Sequence, residues 1–205
     1  MDDNKISFKP GNMLYPLPAV MVSCGRLDGE SDIITVAWAG TICSDPPMVS
    51  ISVKPERYSH HFIKESGEYV INLVTEDFVK AMDYCGVRSG RDKDKWKETG
   101  LTKAASKTVS CPSVAQSPVN IECKVKKVVP LGSHDMFMAE VTAVRVDGRY
   151  MNDKGAFDLN ASKLVTYSHG KYFGLGKQLG TFGYSVKKPV SKKRKAAGRK
   201  VEKRK

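Results

Sequence analysis

The chain has 205 residues, 40% of them apolar and 8% aromatic, which suits one globular domain and excludes disorder throughout. Its formal net charge of +12 is unevenly spread, because residues 187–205 hold eleven Lys or Arg and one acid, Glu202, and the rest is near neutral. Reading the whole chain as a nucleic-acid binder would therefore rest on its last nineteen residues.

Residues 1–18 read as an irregular lead-in, broken by Pro10, Gly11, Pro16 and Pro18. No apolar run approaches the roughly 20 residues that span a bilayer, and the first residues lack the basic-then-apolar order of a signal peptide. A cytoplasmic protein without membrane contact is expected. Ala19 to Ser23 reads as a strand, followed by turn chemistry at Gly25, Asp28, Gly29 and Ser31-Asp32 and a β-branched strand from Ile33 to Trp38. Ala39 to Pro47 is expected as a loop. Met48 to Val53 is a third strand with apolar residues on one face and Ser50 and Ser52 on the other, which leaves room for a ligand.

A short helix is predicted from Tyr58 to the break at Ser66-Gly67, capped by Ser59 or a neighbour. Tyr69 to Val74 is a strand, and Thr75 to Cys85 a helix ended by Gly86, with another turn or two within Asp92 to Glu98. Val119 to Val129 carries the strongest alternation in the chain, Val119, Ile121, Cys123 and Val125 against Asn120, Glu122, Lys124 and Lys126. After a turn at Pro130 to Asp135, Met136 to Val146 returns as a long strand. Gly148 to Asp158 reads as loop, Leu164 to Tyr167 as a short strand and Tyr172 to Gly180 as a glycine-punctuated segment. Strands at hairpin spacing with few short helices favour an antiparallel barrel over a doubly wound parallel sheet. The domains expected are the lead-in to residue 18, a barrel over 19–186 and a basic tail over 187–205.

The five cysteines, Cys24, Cys43, Cys85, Cys111 and Cys123, form no CxxC and suggest reduced, mostly buried thiols. Two loops between strands hold most of the reactive residues, one with Cys43 and one with Gly132-Ser133-His134-Asp135. Taken alone, Cys43 reads as a packing thiol and His134 equally as a turn residue or a site residue. A thiol-protease arrangement lacks any local signature, and the adjacent His60-His61 cannot both face one metal ion from a helix, so no metal is expected. Lys54-Pro55-Glu56-Arg57-Tyr58-Ser59 offers two cations and a helix start, a combination that suits a phosphate as readily as a solvated turn. Ser89-Gly90-Arg91-Asp92 with Lys95 is a second candidate anion loop.

Pro18 to Ser23, the run from Ile34 to Val53 including Trp38-Ala39-Gly40-Thr41 and Cys43-Ser44-Asp45-Pro46-Pro47, and Pro55-Glu56-Arg57-Tyr58-Ser59 together resemble the flavin reductase-like family with its FMN-binding split barrel. The flavoredoxin and archaeal ferric-reductase-like branch is the nearest in pattern. Asp83 to Gly86, Ser89 to Lys95, Gly132 to Phe137 and Tyr172 to Gly180 agree in order and spacing, so the resemblance covers roughly residues 10–186.

The resemblance implies a mainly β fold, a six-stranded antiparallel Greek-key barrel with a few short peripheral helices, forming a homodimer that holds FMN non-covalently. It implies a flavoprotein oxidoreductase that passes electrons from NAD(P)H or a protein donor to flavin, a ferric complex or a redox partner. The alternative is an FMN-binding electron carrier without turnover of its own. Mapped residue by residue, Thr35, Ala37, Trp38, Ala39, Gly40 and Thr41 would run along the flavin, with Ser44 beside them. Ser50, Ser52, Lys54, Arg57 and Ser59 would meet its ribityl chain and phosphate. Cys43 and His134 match positions near the reactive face of the ring, His134 to orient a nicotinamide or shuttle a proton and Cys43 as a pocket wall. The cofactor carries the redox step, and the protein supplies position and electrostatics. The tail departs from the family pattern and reads as a disordered solubilising extension or a weak, salt-dependent contact for polyanions.

Overall fold

The computed structural model describes residues 4–187. Strands run over Leu17–Pro18 (β1), Val20–Gly25 (β2), Ser31–Val36 (β3), Ala39–Ser44 (β4) and Pro47–Val53 (β5). The helix Tyr58–Ser66 (α1) leads to Glu68–Leu73 (β6), and the helices Val79–Val87 (α2) and Lys95–Thr99 (α3) follow. Lys103–Ala104 (β7) and Ser113–Val114 (β8) form a short ladder before the long hairpin of Val119–Pro130 (β9) and Asp135–Val146 (β10). Val165–Ser168 (β11) and Lys171–Gly174 (β12) complete the strands of the first unit, which ends at Leu175.

Seven strands form one antiparallel sheet in the order β3-β2-β6-β9-β10-β5-β4, and β1-β11-β12 form a second. The fold is thus mainly β with short helices, as the hairpin spacing predicted. The sheet curls until the end of β3 meets β5, where the Ser52 N–H donates to the Trp38 carbonyl oxygen at 2.9 Å. Val22, Ile34, Ile51, Val53, Tyr69, Ile71 and Phe137 fill the interior this closure creates.

A second apolar cluster lies outside the barrel, where Ala19 and Met21 meet Met82 and Cys85 of α2 and Trp96 of α3. Every residue of β2 is buried for this reason: one face lines the barrel and the other packs under the helices. Four cysteines are buried and Cys43 is half-buried, all of them free, and burial pushes the thiols of Cys85, Cys111 and Cys123 up to about 12.

Several expectations are corrected. Ala39 to Ser44 is a strand rather than a loop: the chain bends at Ala37-Trp38 and pairs with β5, adding a seventh strand to the six expected. The lead-in is regular at its end, since Leu17 and Pro18 pair with Tyr167 and Thr166. Ser59 does not cap α1, whose cap residue is Arg57 without any side-chain cap bond, because the Ser59 hydroxyl is bonded to Asp32. Gly86 does not end α2, which starts at Val79 after a 3-10 turn over Glu76–Phe78 and continues to Val87. Gly148–Tyr150, inside the expected loop, is a 3-10 turn. The alternation of β9 does not separate core from solvent along its whole length, because Asn120 and Glu122 are also buried, under the segment that carries β7 and β8.

Within the second unit, from Gly176, the described residues contain a 3-10 turn over Tyr184–Val186, and Lys187 Nζ donates to Thr181 Oγ1 at 3.1 Å. The tail expected to be disordered lies, apart from Lys187, outside the described residues. Among the described residues no helix is long and apolar enough to cross a membrane.

Candidate functional site

Where β3 bends away from the barrel, the gap between it and β5 is covered by α2 and by the β11–β12 hairpin rather than by another strand. A cavity of about 460 Å³ results, within the 300–1,000 Å³ range of small-molecule sites. Its walls are Ile34 to Trp38 from β3 and its bend, Ser52, Val53, Lys54 and Arg57 from β5 and the following corner, and Asp83, Gly86 and Val87 from α2. His134 from the β9–β10 turn, Tyr167 and Tyr172 from the second sheet, and Ala19 and Asn12 complete it.

Two aromatic rings from distant parts of the chain meet here. His134 lies 5.7 Å from Trp38, centroid to centroid, and its Nδ1 is 2.9 Å from Ser133 Oγ. Trp38 is 46% exposed. Thr35 uses its hydroxyl structurally, donating to the Met82 carbonyl oxygen, and so fixes α2 to β3. Gly86 lets the two pack closely, since a Cβ there would sit 3.1 Å from Thr35 Cβ. Tyr172 donates to Asp83 Oδ1 at 2.8 Å, and burial together with this bond pushes its hydroxyl up to about 12.

The cations stand at the β5–α1 corner. Arg57 is exposed, with its Nη1 reaching the Gly86 carbonyl oxygen at 3.4 Å, and Lys54 is 3.5 Å from Glu56. The N-terminus of α1, which begins at the next residue, has no side-chain cap and no acid in its first turn. Its partial positive charge is therefore left available to an anion.

Arg57 also borders a second cleft of about 630 Å³ that takes in Arg88, Ser89, Arg91 and Lys95. This is the second anion loop read from the sequence. Arg91 lies over the Tyr58 ring at 5.7 Å. Lys95 is buried and paired with Asp32 at 2.9 Å, and Asp32 also accepts from Ser59 Oγ at 2.5 Å.

The fold thus brings Thr35, Ala37, Trp38, Ser52, Lys54, Arg57 and His134 to one cavity. Ala39, Gly40, Thr41, Cys43 and Ser44 lie along β4, outside the cavity lining, with Cys43 Sγ directed to the Asp45 carbonyl oxygen at 3.4 Å. Ser50 is on β5 opposite Gly40 and Met138, and Ser59 belongs to the second cleft. The sequence reading of the cavity left out Asn12, Asp83, Gly86, Val87, Tyr167 and Tyr172. A glycine inside a helical pattern lowers helix stability and so points to a packing reason, and Gly86, packed on the Thr35 side chain, carried that signal. No group of His, Cys, Asp or Glu suited to a metal ion occurs among the described residues.

The sequence profile of the flavin reductase like domain matches residues 13–176, most of the chain. The chain belongs to the flavin reductase-like family. The solved flavoredoxin of Desulfovibrio vulgaris (Miyazaki F) is similar at 30% identity, with a TM-score of 0.82 over 89% of this chain and 100% of that one. A flavoredoxin of Methanosarcina acetivorans shares the fold at 22% identity and a TM-score of 0.81, over 90% of this chain and 100% of that one. An uncharacterized protein of Archaeoglobus fulgidus is 30% identical over 160 residues, covering 78% of this chain and 88% of its own. These likenesses agree with the split barrel that the residues of the flavin reductase-like pattern suggested.

Proposed function

We propose that this chain binds FMN in the cavity between β3, β5 and α2 and acts as an oxidoreductase. Electrons from NAD(P)H or a protein donor would pass to a flavin, a ferric complex or a redox partner. The observation that carries this reading is the donor set of the cavity. An apolar and aromatic slot is joined to two cations and an uncapped helix start, which fits a flat conjugated ring on a phosphorylated chain.

When bound, FMN supplies the two-electron chemistry, and the protein's share is binding, orientation and proton handling. Arg57, with Lys54 and the amide groups of the first turn of α1, holds the phosphate. The backbone of Ile34 to Trp38 and the side chain of Ser52 supply donors along the slot, and Val36 and Trp38 keep water from its apolar part. His134 binds the incoming substrate. Its Nδ1 is engaged by Ser133 Oγ, so Nε2 is the atom that orients a nicotinamide amide or carries a proton. Cys43, on β4, is a wall residue for a partner or second copy rather than a nucleophile. A homodimer is part of the reading, with β4 as one of the two edge strands of the seven-stranded sheet and Trp38 and Ile42 exposed beside it.

A second reading, an FMN-binding electron carrier without turnover of its own, is favoured by the likeness to a flavoredoxin. One experiment separates the two. The visible spectrum of the purified protein is recorded before and after anaerobic NADH or NADPH, and the released cofactor is identified by mass. Flavin bands that bleach, followed by turnover with free FMN or a ferric chelate, support the oxidoreductase. Bands that bleach only with a protein donor support the carrier, and a protein that takes up no FMN removes both. Deleting residues 187–205 should leave FMN binding intact and remove any salt-dependent polyanion contact.

A further inference from the structure

His60 and Asp135 take no part in the lining of the cavity, yet they join the segments that supply Arg57 and His134 to it. His60 follows Arg57 by three residues in α1, and its amide N–H donates to the Arg57 carbonyl oxygen at 3.0 Å. Its Nε2 lies 2.8 Å from Asp135 Oδ2, with the two side chains 8% and 14% exposed. A carboxylate only accepts, so Nε2 carries the proton. The imidazole meets the Phe137 ring edge-on at 5.3 Å, inside the barrel core.

Asp135 is the first residue of β10, held between Val53 of β5 and Pro130 of β9, and the residue before it is His134. The His134 carbonyl oxygen accepts the Leu131 N–H at 2.8 Å, which closes the turn and presents the ring to Trp38. An apolar pair in the place of His60 and Asp135 would fill the same space without the desolvation cost of two polar groups. What the polar pair adds is a direction, because a buried charge-assisted bond is short and tolerates little angular error.

We propose that His60 and Asp135 are positioning residues, which hold His134 against Trp38 and set its spacing from Arg57, so that α1 aligns these two polar groups of the cavity with each other. Its consequence for turnover rests on the role given to His134 above, and its consequence for geometry does not. The test begins with histidine-selective NMR of the protein without flavin, in which the His134 Cε1–H signal, assigned by its loss in His134→Asn, is shifted by the ring current of Trp38. In His60→Leu this signal should move to an unshifted position while that of His169, which packs on Tyr15, stays in place. His60→Gln, whose amide N–H reaches the same carboxylate, should restore the shift.

A folded His60→Leu protein with an unmoved His134 signal would overturn the proposal, leaving the pair as packing alone. Should that variant fail to fold, Asp135→Asn decides instead: a partial displacement supports the proposal, and an unmoved signal refutes it. In turnover assays His60→Leu should lower kcat by about tenfold, since a displacement on the order of 1 Å can cost up to about a hundredfold. It should lower kcat no further in a His134→Asn background, and multiplicative losses would count against the coupling. If His134→Asn alone retains full turnover, the assigned role of His134 falls, and the NMR result still decides the positioning claim.

Discussion

Replacing Arg57 by alanine removes a cation of the cavity that forms no salt bridge among the described residues. Lys54 faces Glu56 at 3.5 Å, which offsets part of its charge, whereas Arg57 donates to the Gly86 carbonyl oxygen and feels the Glu56 carboxylate more weakly than Lys54 does. A hydrogen bond to a charged group contributes about 1.5–3 kcal/mol, and the exposure of Arg57 places its contribution near the lower figure because water and salt screen it. The dissociation constant for FMN should therefore rise roughly tenfold to thirtyfold in Arg57→Ala, at 1.4 kcal/mol per factor of ten. Arg57→Lys keeps the charge without the two-pronged geometry and should fall between. Lys54→Ala should cost about threefold, the size of a weak exposed pair. The assay is quenching of FMN fluorescence on titration with apoprotein at low and high salt, and the salt dependence should shrink with the arginine. An Arg57→Ala affinity within twofold of the parent, or a larger loss in Lys54→Ala, would refute the assignment of the β5–α1 corner to the phosphate.

His134→Ala should lower kcat by about a hundredfold, as expected for loss of a group that transfers a proton, while FMN affinity measured by the same titration changes little. Glu122 tests the acid limb of stability. Burial works to raise its carboxyl, but hydrogen bonds from the Lys107 N–H and from the hydroxyl and N–H of Thr108 outweigh that and hold it below the ordinary value. A group lowered in the folded state contributes stability above its unfolded value of about 4.3 and loses it as pH falls through the folded value. Glu122→Gln should cost about 2 kcal/mol near neutral pH, because the two backbone donors lose their shared charged acceptor, and should flatten the decline below about pH 4. Denaturant curves at several pH values that stay parallel to the parent's would reject this. Lys95→Met leaves the Asp32 carboxylate buried with Ser59 Oγ as its remaining side-chain partner, which should cost about 3–5 kcal/mol. The double variant Asp32→Asn/Lys95→Met should recover part of the loss in thermal midpoint.

Much of the barrel was legible because its strands obey local rules. The alternation of Val119 to Val129, the β-branched run from Ile33 and the proline before Met48 mark β9, β3 and β5 within a residue or two. Local rules failed where a neighbouring segment supplies the environment. Ala39 to Ser44 contains a glycine and small polar residues and looks like a loop, yet β5 gives it a ladder of partners and makes it β4. Asn120, Glu122, Asp32 and Lys95 are polar in sequence and buried in the fold, because each finds a partner from far along the chain. Neither the ladder nor those partners can be read from spacing.

The amino-acid sequence by itself determined the antiparallel β class, the helix that starts beyond Arg57, the reduced and buried state of most cysteines and the family to which the chain belongs. These follow from periodicity, turn chemistry and a set of short motifs, all of which act over a few residues. Only the tertiary structure decided which candidate residues share a cavity. Closure of the sheet brings Trp38 to His134 and opens the slot beside Arg57, while the bend at Ala37-Trp38 carries Cys43 and Ser44 onto β4, outside the cavity lining. The same closure places His60 against Asp135, seventy-five residues apart in sequence. A contact of that separation is set by the path of the whole chain.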